Sequence, residues 1–121
     1  MTTWTAAEIA EPVRAALEAS DLHALSALLS PDVQWGAPGD PAPACRNRGD
    51  VLAWSRRGRA AGTRAQVTEV DVVGDALLVG LMVDRGVSAG ERWQVLTIGP
   101  DGVRDIRGHE DRASAVAGLP V

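Results

Sequence analysis

The sequence contains no lysine, no tyrosine and no phenylalanine, and only one cysteine, Cys45. A single cysteine excludes an internal disulfide and a cysteine-based metal cluster. Without tyrosine, no phenol is available as a hydrogen-bond donor or acid. No apolar run approaches the ~18 residues of a membrane-spanning helix; the longest, from Ala76 to Val83, has the length of a strand. Glu8 and Glu11 fall among the first apolar residues with no basic leader before them. No secretory signal is therefore expected, and a cytoplasmic location follows by default. There is no phosphate loop, dinucleotide fingerprint or nucleophile-elbow serine, so no cofactor is expected.

What is present describes an ordinary globular chain. Its 121 residues, 45% of them hydrophobic, match one compact domain spanning 1–121 that buries enough surface to fold without a staple. The net charge of −4 favours solubility and argues against nucleic-acid binding. Arg46, Arg48, Arg56, Arg57, Arg59 and Arg64 crowd one short stretch. It reads as a solvated helix face and its flanks, with an anion or partner surface as the other reading. Cys45 stands in a proline-rich loop beside Arg46, where a neighbouring guanidinium can lower a thiol's pKa.

Along the chain, Thr5-Ala-Ala-Glu8 has the form of a capping box, and Ile9, Val13, Ala16 and Leu17 follow at helical spacing. Pro12 interrupts this pattern, so either the helix kinks there or it begins there and the box is a separate turn. Asp21 can cap a second helix carrying Leu22, Leu25, Leu28 and Leu29, closed by Ser30-Pro31. A short strand is expected at Val33–Trp35, then an irregular segment with Pro38, Gly39, Pro41 and Pro43, then a helix from Gly49 or Asp50 to about Arg59. Strands are expected at Val67–Val73, Ala76–Val83, Glu91–Ile98 and Val103–His109, joined by turns too short for parallel neighbours. A last helix runs from Glu110 to Ala117 and stops at Gly118. Helices followed by an antiparallel meander make an α+β layout.

That order resembles the SnoaL-like, nuclear-transport-factor-like superfamily over nearly the whole chain. The likeness is carried by Ala15-Ala-Leu-Glu-Ala-Ser-Asp-Leu22, Arg48-Gly-Asp-Val-Leu-Ala-Trp54 and Gly102-Val-Arg-Asp-Ile-Arg-Gly-His-Glu-Asp111. The resemblance implies a cone-shaped curved antiparallel sheet packed with three N-terminal helices and a short C-terminal helix, enclosing an apolar pocket, and frequently a homodimer. It does not select a reaction. Ketosteroid isomerase chemistry requires a carboxylate base, a tyrosine and a protonated acid. The resemblance places these at Ala37, Val13 and at or near Trp93, none of which is the required residue. The epoxide hydrolases of the family place an acid where Gly108 stands here. Polyketide cyclase chemistry asks only for an acid or base near the substrate.

His109 is the first candidate for that role, because imidazole titrates near neutral pH. Strand parity bears on it: if Ile106 and Gly108 face the pocket, Arg107 and His109 face away. Asp84 is a second candidate, and with Arg85 at the end of its strand it can orient a polar ligand or form a solvated hairpin end. His23 is expected to be exposed. Glu110 and Asp111 beside His109 do not make a metal site, since consecutive side chains diverge. Trp35, Trp54 and Trp93 lie on elements that converge on the family's pocket and are the candidate ligand-binding residues, with His109; Trp4 is expected to cover an end of the domain. Two functional classes stay open. One is a pocket that binds a small apolar metabolite, with cofactor-free acid–base chemistry of cyclase, isomerase or lyase type. The other is a non-catalytic dimeric domain with a packed interior. An open cavity with a polar group beside one of these tryptophans favours the first.

Overall fold

The structure, a computed structural model, describes residues 3–119. Helix α1 (Ala6–Ala19) opens on the anticipated box: Thr5 Oγ1 accepts the Glu8 N–H, and the Glu8 carboxylate accepts the Thr5 N–H, both at 3.2 Å. The helix runs on through Pro12, so the box begins α1 itself and is not a separate turn. It ends at Ser20 in a left-handed conformation (φ 51). Asp21 then caps α2 (Leu22–Leu28), its carboxylate accepting the Ala24 N–H at 3.0 Å.

Strand β1 (Leu29–Gly36) is longer than Val33–Trp35, and Ser30-Pro31 lies inside it instead of closing a helix. A proline is tolerated there because β1 is an edge strand whose register is irregular between Leu29 and Gln34. Helix α3 (Arg48–Ala60) starts one or two residues before the expected point, because Asn47 caps it by accepting the Asp50 N–H at 2.8 Å. Strands β2 (Arg64–Val73), β3 (Ala76–Asp84), β4 (Ala89–Gly99) and β5 (Gly102–His109) follow. Helix α4 (Arg112–Ala117) begins after Asp111, whose side chain caps it.

The sheet order is β1-β5-β4-β3-β2. Strands β2 to β5 form the expected antiparallel meander, but β1 pairs parallel with β5 and makes the sheet mixed. The two share a direction because the intervening helix and hairpins supply the long crossover that parallel pairing needs. No helix among the described residues is long and apolar enough to cross a membrane.

Each face of the sheet has its own core. On the inner face, Leu77, Val79, Leu81, Leu96, Ile98, Val103 and Ile106 meet Ile9, Val13 and Ala16 of α1 and Val51 of α3. On the outer face, Ala76, Leu78, Trp93 and Val95 are covered by Ala115 of α4 and by Leu119. Strand β3 is therefore covered on both sides over its first half, which is why it reads as an unbroken apolar run rather than an alternation. Trp4 packs on the inner core, and its N–H donates to the Pro100 carbonyl at 3.1 Å, closing one end of the fold.

Candidate functional site

Between the inner face and the three N-terminal helices lies a cavity of about 490 Å³. Its wall is built by two periodicities. On α3, Val51, Trp54, Ser55 and Gly58 follow at the spacing of one helical face; on β4, Arg92, Gln94 and Leu96 follow at alternate positions. Val13, Ala16 and Leu17 of α1, Leu22 and Leu25 of α2, and Ile106 and Gly108 of β5 complete the apolar part. A second concavity, about 570 Å³, lies on the outer face among Ser30, Asp32, Gln34, Thr97, Arg104 and Asp105. Its lining is polar and carries no apolar wall, so it is the poorer candidate for a metabolite.

The proline-rich segment after β1 is folded back as one wall of the cavity. Trp35 and Cys45 exchange backbone hydrogen bonds at 3.0 and 3.1 Å, and Arg107 reaches from β5 to donate to the Ala37 and Asp40 carbonyls at 2.8 and 2.9 Å. Asp105 holds the same guanidinium at 3.1 Å. Arg107 is thus a clamp on the loop, and its side chain is not part of the cavity wall.

Cys45 is buried in that wall. Burial raises its thiol pKa, and the nearby Asp50 raises it further, against a smaller opposing effect of Arg57. Arg46, its neighbour in sequence, is not among these influences, so the thiol is held protonated instead of activated. Native Cys45 is accordingly expected to alkylate several-fold more slowly at pH 7.5 than the same residue in urea; equal rates by mass spectrometry would contradict this account.

Of the residues singled out in the sequence, Trp35 and Trp54 line the cavity, Trp54 half-exposed at its edge with Arg57 over its ring at 5.8 Å. Arg85 lines it as well. Trp93, His109 and Asp84 do not, and their assignment to the site is corrected by register. Trp93 pairs with Gly80 on one side and His109 on the other, all on the outer face. Both side chains are buried beneath α4, Trp93 donating its indole N–H to Glu91 and His109 packed against Gly118. The parity argument for His109 and Arg107 holds, since Ile106 and Gly108 face the cavity. Asp84 points away from Val83 and Arg85, is exposed, and accepts the Gly86 N–H in the hairpin turn. Sequence reasoning missed Arg92, Gln94 and Arg59 as lining residues. The signal available for the first two was their alternation with Leu96 and Ile98 on one strand face.

No protein-family model matches the sequence, and no curated protein matches it. Solved structures do. A SnoaL-like protein of unknown function from Burkholderia thailandensis superposes with a TM-score of 0.68 at 19% identity, over 88% of this chain and 94% of the other. A protein from Kribbella flavida provisionally named a ketosteroid isomerase gives 0.74 at 18%, over 93% and 82%. One from Sinorhizobium meliloti provisionally named a polyketide cyclase gives 0.67 at 21%, over 88% and 100%. The fold is that of the SnoaL-like, nuclear-transport-factor-like superfamily. Within that fold, Val13 and Ala37, where the resemblance placed the isomerase tyrosine and base, and Gly108, where it placed the hydrolase acid, line the cavity without an ionisable side chain, whereas Trp93, at or near which it placed the isomerase acid, lies on the outer face.

Proposed function

We propose that this protein binds a small, largely apolar metabolite in the cavity between its helices and the inner face of its sheet. The observation that carries this reading is the cavity itself: about 490 Å³, walled by apolar side chains with Trp35 and Trp54, and with the half-buried polar groups of Gln94 and Arg92 among them. A few placed polar groups in an apolar wall are what orients a small molecule. A fully packed interior, the requirement of the purely structural alternative, leaves no such space. Structural neighbours named as a polyketide cyclase and a ketosteroid isomerase agree with a pocket for apolar substrates. Among the described residues, the lining contributes no histidine and no glutamate, and its one aspartate, Asp21, is engaged in capping α2. The reading therefore stops at binding and assigns no acid–base step.

Gly58 provides the test. It faces the cavity near the end of α3, and a Cβ there meets only Thr63, at an ordinary 3.8 Å. Gly58→Leu is expected to raise stability by about 0.5–1 kcal/mol, because glycine is a poor helix former. The same side chain occupies the cavity and is expected to weaken binding of the neutral fluorophore N-phenyl-1-naphthylamine by roughly tenfold or more. Saturable binding by the wild type that this stable variant loses supports the reading. No saturable binding by the wild type, or equal binding by both, overturns it.

A further inference from the structure

We infer that the metabolite is an apolar monocarboxylate, its head group held at the mouth of the cavity by Arg92 and Arg85; this rests on the cavity being a binding site. The chain carries a net charge of −4, yet among the described residues the charged ones lining the cavity are Arg59, Arg85 and Arg92 against Asp21. The cavity is thus cationic in a protein of the opposite sign.

Two of these four groups are already engaged. The Asp21 carboxylate accepts the Ala24 N–H, and Arg59 donates to the Ser20 carbonyl at 2.8 Å. The other two are not: among the described residues, the guanidinium groups of Arg85 and Arg92 make no ion pair and no hydrogen bond, and unlike Arg46, Arg56 and Arg104, which also lack an acidic partner, these two line the cavity. Arg92 is half-buried, and leaving a cation there without a counter-charge is unfavourable. An anionic ligand supplies the missing partner.

The geometry provides room for it. Arg92 lies on the inner face of β4 opposite Leu81 of β3, and Arg85 follows Leu81 and Val83 on that same face of the chain. Arg92 Nη2 lies over Gly108, 3.0 Å from where a Cβ would stand, so the missing side chain is what lets the guanidinium lie there. A planar guanidinium presents its N–H groups as a fork that matches the two oxygens of a carboxylate. An apolar wall with the guanidinium forks of Arg85 and Arg92 among its lining residues fits an amphipathic acid lying tail-inward.

Displacement of N-phenyl-1-naphthylamine by decanoate and by decanol, equal in chain length and different only in the head, tests this. The wild type is expected to bind decanoate about tenfold more tightly than decanol at low ionic strength, with the gap narrowing as salt is added. Arg92→Gln is expected to abolish the preference by lowering decanoate affinity about tenfold, with a wild-type circular-dichroism spectrum and urea midpoint showing that the variant is folded. Arg56→Gln, which removes the same charge from outside the cavity, is expected to retain the preference. Equal affinity of the wild type for both compounds overturns the inference and leaves the binding reading standing. A preference that survives in both Arg92→Gln and Arg85→Gln overturns the assignment of the head-group site. Failure of the probe and both compounds to bind at all removes both readings together.

Discussion

Gly102→Ala is expected to destabilise the fold by about 3–5 kcal/mol, a large part of the stability of a domain this size. Gly102 ends the β4–β5 turn with φ +120, a conformation that a Cβ-bearing residue enters only at a cost. Strain is the smaller part. A Cβ at this position overlaps the Leu28 carbonyl oxygen and comes within 3.0 Å of its carbon and 3.4 Å of the Ser30 nitrogen. These are backbone atoms at the junction of α2 and β1, and they cannot rotate aside. Gly86, in the β3–β4 turn, separates the two effects: its φ is +86, but nothing lies within 4 Å of a Cβ there. Gly86→Ala is therefore expected to cost only about 1–2 kcal/mol. Urea denaturation of both variants checks the difference. Equal losses would mean that the hairpin does not pack against the α2–β1 junction as described.

Trp93→Ala is expected to cost a further-reaching loss of packing, about 3–5 kcal/mol, without changing affinity for a ligand in the cavity. The indole is 5% exposed between Gly80 below and α4 above, with the Arg112 guanidinium 5.6 Å from its ring centre. The absence of a side chain at Gly80 makes this possible, since a Cβ there lies 2.7 Å from the ring. Arg112 is in turn held by Glu69 at 2.9 Å, and that hydrogen bond keeps the Glu69 carboxyl below the usual carboxylate range. Removing the ring thus opens a cavity under α4 on the face opposite the one between the sheet and the N-terminal helices. Denaturation curves and N-phenyl-1-naphthylamine titration of the folded variant measure the two parts separately. Loss of probe binding by folded Trp93→Ala would place the ring on the inner face after all. A stability change under about 1 kcal/mol would show that it does not anchor α4.

The elements of the fold were legible because each rests on local chemistry. The capping box at Thr5-Glu8, the cap at Asp21, the turn glycines after Val73 and Ile98, and the apolar run from Ala76 act within a few residues of themselves. Even the errors at element ends are local: Asn47 as a cap and Pro31 inside β1 follow known rules that compete with stronger signals nearby. The face on which each strand residue stands was legible only in part. For β5, parity tied Arg107 and His109 to the face opposite Ile106 and Gly108 but did not say which of the two faces the cavity, so His109 stood as a candidate until the register placed Ile106 and Gly108 in the lining.

For β4 it misled, because both faces of the strand are apolar: Leu96 and Ile98 on one, Trp93 and Val95 on the other. The largest ring drew attention to the face that α4 covers. By itself, then, the sequence determined the order of helices and strands, the antiparallel meander and the candidate fold, since hydrophobic period, caps and turns are properties of neighbouring residues. Only the tertiary structure decided that β1 joins β5 in parallel, that α4 closes the outer face over Trp93 and His109, and that Arg85 and Arg92 line one cavity with no ion pair among the described residues. Those facts depend on which side of a two-faced sheet each helix covers. Strand alternation defines two sides but does not say which helix will bury which.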